Sequence, residues 1–111
     1  MRDDPFGGGL VDLLVLSSVG RAESYGYAIA QHLAEHGVTG LSEASVYASL
    51  RRLEDKGLLA SRQALADNGK ARRYYSLTRA GETHRARGKA SWEATNAAVL
   101  RVLAAAEGER R

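Results

Sequence analysis

Two clusters of arginine and hydroxyl side chains carry most of the chemistry available to this chain. The first is Ser42, Ser45, Tyr47, Arg51 and Arg52. On a helix of about 3.6 residues per turn, Ala44, Ala48 and Arg51 share one side, flanked by Ser45, Tyr47 and Arg52. Small residues let a helix backbone approach the floor of a major groove. Hydroxyls there reach phosphates or base edges, and arginine pairs with guanine O6 and N7. Asp55 falls on the same outward side but near the far end of the helix. The second cluster is Lys70, Arg72 and Arg73, with Tyr74 beside them, on a turn and the strand that returns from it; Arg62 lies on the outgoing strand. A basic turn of this kind suits a phosphate backbone, where each neutralised phosphate releases counterions. Each cluster alone also fits a bland description, a solvated helix face or an edge hairpin kept soluble by charge. Their order, with the hairpin directly after the last of three helices, favours nucleic acid.

Other chemistry finds little support. Cysteine is absent, so neither disulfides nor thiolate zinc sites enter, and a reducing, cytoplasmic setting is expected. His32 and His36 have the i, i+4 spacing that grips zinc or nickel, yet only Glu35 lies near and His84 is on another helix, so the pair reads as a solvated face and no metal is expected. There is no phosphate-cradling glycine loop and no Ser/His/Asp arrangement, and Glu54 and Asp55 are neighbours pointing in different directions. An enzyme is not expected, nor a cofactor. The net charge of +3 is mild, but it is concentrated: residues 41–79 hold eight Lys or Arg against four acids, so this stretch is +4 and the remainder −1.

The elements that must position these groups follow from periodicity. At 111 residues the chain is one domain, with 44% hydrophobic but only 6% aromatic residues. The start, with Pro5 and Gly7 to Gly9, reads as a flexible lead-in over residues 1–8, without signal peptide or membrane span. Leu10, Leu13, Leu14 and Ser17 space a first helix over roughly 9–20, closed by Gly20. Ser24 is expected to cap a second, over about 24–36, with Tyr25, Ile29 and Leu33 on one side and Gly37 at its end. Ser42 caps a third, with Glu43 suited to its dipole, Val46, Leu50 and Leu53 buried, and Gly57 stopping it. Residues 58–63 and 72–77 pair antiparallel around Asn68-Gly69, with one of Tyr74 and Tyr75 turned inward.

Thr78 caps a last helix to about Ala106, leaving 107–111 as a polar tail. As a helix, residues 79–106 span about 40 Å, more than the remaining body can cover. Gly88, Trp92, Thr95, Val99 and Val102 fall on a seven-residue seam, with Leu103 alongside. The first half is polar and the second almost wholly Ala, Val and Leu, so a symmetric partner is the economical cover, with the chain's own first helix taking part of the stripe. Two-fold symmetry is also what a palindromic operator requires.

The sequence resembles the PadR-like transcriptional regulators, winged helix-turn-helix proteins. The resemblance rests on Leu13-Leu14-Val15-Leu16, Tyr25-Gly26-Tyr27, Val46-Tyr47 with Leu50, Arg52-Leu53-Glu54 followed by Gly57-Leu58, and above all Arg72-Arg73-Tyr74-Tyr75-Ser76-Leu77-Thr78 with Gly81. It is close over roughly 10–82 and holds only in character beyond; one departure is Ala48, where members often carry proline. It implies a mainly α fold with a small β-hairpin: a winged helix-turn-helix over 9–78 and a C-terminal dimerisation helix over 79–106. It further implies a homodimeric DNA-binding repressor, often of its own promoter or a neighbouring efflux or detoxification gene. The residues expected to meet double-stranded DNA are Tyr25, Ser42, Ser45, Tyr47, Arg51, Arg52, Lys70, Arg72, Arg73 and Tyr74, and those expected to pair protomers are Trp92, Thr95, Val99, Val102 and Leu103. In short members of the family an aromatic on the last helix can line a pocket between subunits, so Trp92 either fills the dimer core or stacks a small aromatic or cationic ligand that relieves repression. The rival from a different class is a winged-helix module that binds a protein through the same helix and hairpin.

Overall fold

A computed structural model describes residues 8–20 and 22–109. Residues 1–7 of the expected 1–8 lead-in and the last two residues of the expected tail lie outside the described residues, while Gly8 opens the first helix instead. The order is α1 (Gly8–Ser18), α2 (Gly26–Glu35), α3 (Glu43–Asp55), β1 (Leu59–Leu65), β2 (Ala71–Leu77) and α4 (Arg79–Glu109). This is the mainly helical winged helix-turn-helix with a long terminal helix that the patterning indicates.

α3 forms as its sequence dictates. Ser42 is the N-cap, its Oγ accepting the Ser45 N–H at 3.1 Å, while Val46, Leu50 and Leu53 are at most 1% exposed. Gly57 follows with φ of 78°, the left-handed conformation that turns the chain out of a helix at little cost to glycine. β1 and β2 pair antiparallel from Leu59 opposite Leu77 to Leu65 opposite Ala71. The strands therefore run closer to the tip than the pattern indicates, and Leu58 stays outside them as a core residue. At the tip, Asn68 Oδ1 accepts the Lys70 N–H at 3.0 Å. Tyr75 is the inward tyrosine.

Three helices differ from expectation. Ser24 is not a cap: its backbone pairs with Tyr75 in both directions, at 2.9 and 2.7 Å, as a one-residue third strand beside β2. Tyr25 takes the N-cap position of α2 without a side-chain bond. A serine bonded through its backbone to a distant strand leaves no trace in local periodicity. In α1 the deeply buried residues are Val15 and Leu16, with Val19 just past its end also buried and Ser17 exposed. The helix is apolar nearly all round because α2 and α3 cover one side and α4 another. α4 continues through Glu109, three residues past the expected end.

Thr78 opens α4 as expected, its Oγ1 accepting from the Gly81 N–H at 2.9 Å and donating to the Gly57 carbonyl at 2.8 Å. Gly81 is buried so close to the Leu58 carbonyl that any Cβ there would overlap it. These contacts seat the N-terminal end of α4 on the domain. At about 46 Å the helix then runs beyond the body, and the molecule measures 64 × 27 × 26 Å.

Candidate nucleic-acid interface

The start of α2, the outward side of α3 and the returning strand of the wing converge on one recess. Its cavity is about 420 Å³, lined by Tyr25, Tyr27, Tyr47, Arg72 and Arg73 among others. Gly26 makes the convergence sterically possible: it is buried under the Tyr47 ring, and a Cβ there would overlap the ring carbons. The Tyr-Gly-Tyr motif therefore has a packing cause, since only glycine lets α3 lay its tyrosine across the first turn of α2. Tyr27 and Tyr47 remain 52% and 43% exposed, and the Tyr27 hydroxyl accepts from Gln31 Nε2 at 3.0 Å.

Aromatic contacts fix the wing to this recess. The Arg72 guanidinium lies 3.9 Å from the Tyr25 ring centroid, and Tyr74 meets the same ring edge-on at 5.6 Å. Arg62 covers the Tyr74 ring at 5.3 Å and forms a two-pronged ion pair with Glu23. That guanidinium holds the Glu23 carboxyl below the usual glutamate range, and the carboxylate in turn raises Arg62. Arg72 is thus held beside the uncapped first turn of α2, where amide N–H groups and a guanidinium attract the same anion.

Arg73 also borders the recess, but its guanidinium reaches across to β1. Its Nη1 donates to Ser61 Oγ at 2.9 Å, and that hydroxyl donates to Glu54 Oε2 at 2.6 Å, tying the wing to the end of α3. Beneath lies Tyr75, whose hydroxyl is raised first by burial and then by the Glu54 charge.

The remaining expected contacts are dispersed. Ser42 and Ser45 share a hydroxyl bond at 3.0 Å at the start of α3. Arg51 is exposed on its outward side and Lys70 at the wing tip. Arg52 is turned inward onto α1, where its Nη2 donates to Asp12 Oδ1 at 2.7 Å. Asp12, Ser49, Ser61 and Glu23 take no part in the sequence reading of the site. Ser49 carried a usable signal, a polar residue on the same stripe as Val46, Leu50 and Leu53 that demands a partner; Glu23 carried none.

At the opposite side of α1, Leu10, Leu13, His84, Ser91, Trp92 and Thr95 border a second cavity of about 310 Å³. Gly88 lets the two helices meet there, since a Cβ would come within 2.9 Å of Leu13 Cδ1. Trp92 and Thr95 therefore face the chain's own α1, while Val99, Val102 and Leu103 lie farther along at 40%, 67% and 59% exposure, with Leu100 at 58%. The His32 and His36 rings lie 4.3 Å apart, tilted by 47°, on the exposed side at the end of α2, and no group of three or more metal-ligating side chains forms among the described residues.

Residues 15–87 match the transcriptional regulator PadR-like family. The chain belongs to that family. Its PadR-like character extends from α1 through the first turns of α4. Over 71 residues it is 41% identical to the transcriptional regulator Rv3488 of Mycobacterium tuberculosis, a match that spans 64% of each chain. Among solved structures it is similar to a PadR-like regulator from Bacillus cereus, with 28% identity, 90% of this chain and 97% of that one covered, and a TM-score of 0.77. A PadR family regulator from Eggerthella lenta is 35% identical, with 86% and 82% covered and a TM-score of 0.75. No helix among the described residues is long and apolar enough to cross a membrane.

Proposed function

We propose that this PadR-like protein is a sequence-specific DNA-binding repressor that acts as a homodimer on a palindromic operator in the cytoplasm and is released by a small molecule. The observation that carries the reading is the Tyr25–Arg72 recess beside the outward side of α3. It joins an uncapped helix start, a fixed guanidinium and two partly exposed tyrosines on one surface. Tyr25, Ser42, Arg72, Lys70 and Tyr74 position the duplex through its backbone, with Arg73 adding charge beside them. Ser45, Tyr47 and Arg51 reach base edges. Val99, Val102 and Leu103 pair the protomers, which sets two reading helices on one side of a duplex.

The ligand reading rests on the α1–α4 cavity. Trp92 offers a stacking face, and Leu10 and Leu13 an apolar wall, for a small aromatic or cationic ligand. α1 is shared between that cavity and α3, so an occupant that moves α1 also moves the reading helix.

A gel shift against the DNA upstream of the protein's own gene tests the regulator reading. Binding is expected to prefer that fragment and to weaken steeply with salt. Equal binding to unrelated duplexes, or none, contradicts it and favours a protein-binding module.

A further inference from the structure

α3 has a second side whose chemistry the groove contacts do not use. Ser49 is fully buried, the one buried polar side chain among the described residues, and it lies within the stripe of Val46, Leu50 and Leu53. Its hydroxyl donates to Asp12 Oδ1 at 2.6 Å, and the same oxygen accepts Arg52 Nη2 at 2.7 Å. One carboxylate oxygen on α1 therefore binds two consecutive turns of the reading helix. The Asp12 side chain is 14% exposed and that of Arg52 45%, so the ion pair is screened on one side only. A buried hydroxyl and a directional charge-assisted bond on one acceptor fix both the rotation of α3 about its axis and its slide along α1. Apolar packing alone tolerates small changes in either.

On the DNA-binding reading above, we infer that Arg52 is a positioning residue that sets the reading helix through Asp12, rather than a side chain that touches DNA. Loss of Arg52 then weakens operator binding by letting α3 shift, with no change in the number of phosphates neutralised. Ser49 and Asp12 belong to the same device, although both lie inside the domain and away from any duplex.

Binding of the upstream fragment over a salt series, using the full chain with Asp12→Asn, Arg52→Gln and the double variant, separates the two roles. Each single variant is expected to weaken binding by about tenfold, and the double variant to be no weaker than the worse single. The slope of affinity against salt should stay at the wild-type value in all three. A double variant weakened by the product of the two single effects overturns the inference. So does a slope that falls by about two units in the Arg52→Gln dimer, one for each protomer, because that is the signature of a lost phosphate contact. If Asp12→Asn is unfolded at the assay temperature, Ser49→Ala takes its place in the same cycle. A wild-type protein that binds no fragment refutes the DNA-binding reading instead. Amide exchange in the free protein then decides on Arg52, with faster exchange over 49–53 in Arg52→Gln supporting the inference and unchanged exchange contradicting it.

Discussion

The wing end and the distal half of α4 are opposite kinds of surface. At the wing end almost every functional side chain is held by another: Arg72 by Tyr25, Tyr74 by Arg62, Arg62 by Glu23, Arg73 by Ser61, and Arg52 by Asp12. On distal α4, Val99, Leu100, Val102 and Leu103 are 40–67% exposed on a helix that outruns its domain. A polar surface completed within one chain is preorganised and meets a rigid partner with little left to order. An apolar surface left open is half of an interface. On the proposed reading, recognition belongs to one end of the molecule and assembly to the other.

Breaking the α4 end should have the largest consequence. Val102→Glu with Leu103→Glu is expected to yield monomers in sedimentation measurements by analytical ultracentrifugation. Operator affinity should then fall by a factor on the order of 1,000, towards that of a nonspecific contact. An intact dimer would show that these residues are not the seam. At the wing end, Arg72→Ala should weaken binding to all duplexes alike and lower the salt slope by about two per dimer, one for each protomer. An unchanged slope would separate Arg72 from the phosphates. Tyr47→Phe and Arg51→Ala should change which operator is preferred, by about 1–3 kcal/mol where a base contact is lost. A uniform loss across sequences would remove their base-reading role.

The smallest effect sharpens the difference in how the two ends respond to acid. Glu23 is depressed by Arg62, so its stabilising contribution is present at neutral pH and is lost as pH falls through the ordinary glutamate range and below. The protection factors of the Ser24 and Tyr75 amides, which correct for the intrinsic slowing of exchange in acid, should fall over that window in the wild type. They should no longer do so in Glu23→Gln, while distal α4 should not respond to the substitution.

The fold was legible because its signals are local. The apolar stripe of α3, the Ser42 cap, the Gly57 stop and the Asn68-Gly69 turn each act within a few residues of themselves. The recess was legible only in its parts. Tyr25, Tyr47 and Arg72 were identifiable as residue types, but their convergence depends on Gly26 making room for a tyrosine from another helix. Nothing in the sequence ties Glu23 to Arg62 or Ser24 to Tyr75, because those contacts bridge 39 and 51 positions that only the closed wing brings together. α1 misled for the converse reason. A helix packed on several sides has no single stripe, so choosing Leu10, Leu13, Leu14 and Ser17 selected one side of several.

Amide exchange across the whole chain, with and without the upstream operator, tests most directly which surface meets DNA. The expected result is new protection over 25–28, 42–51 and 70–74, with distal α4 equally protected in the free dimer and in the complex. Protection confined to the exposed side of α2 around His32 and His36, or to α4 alone, would contradict the assignment of the winged end as the DNA-reading surface.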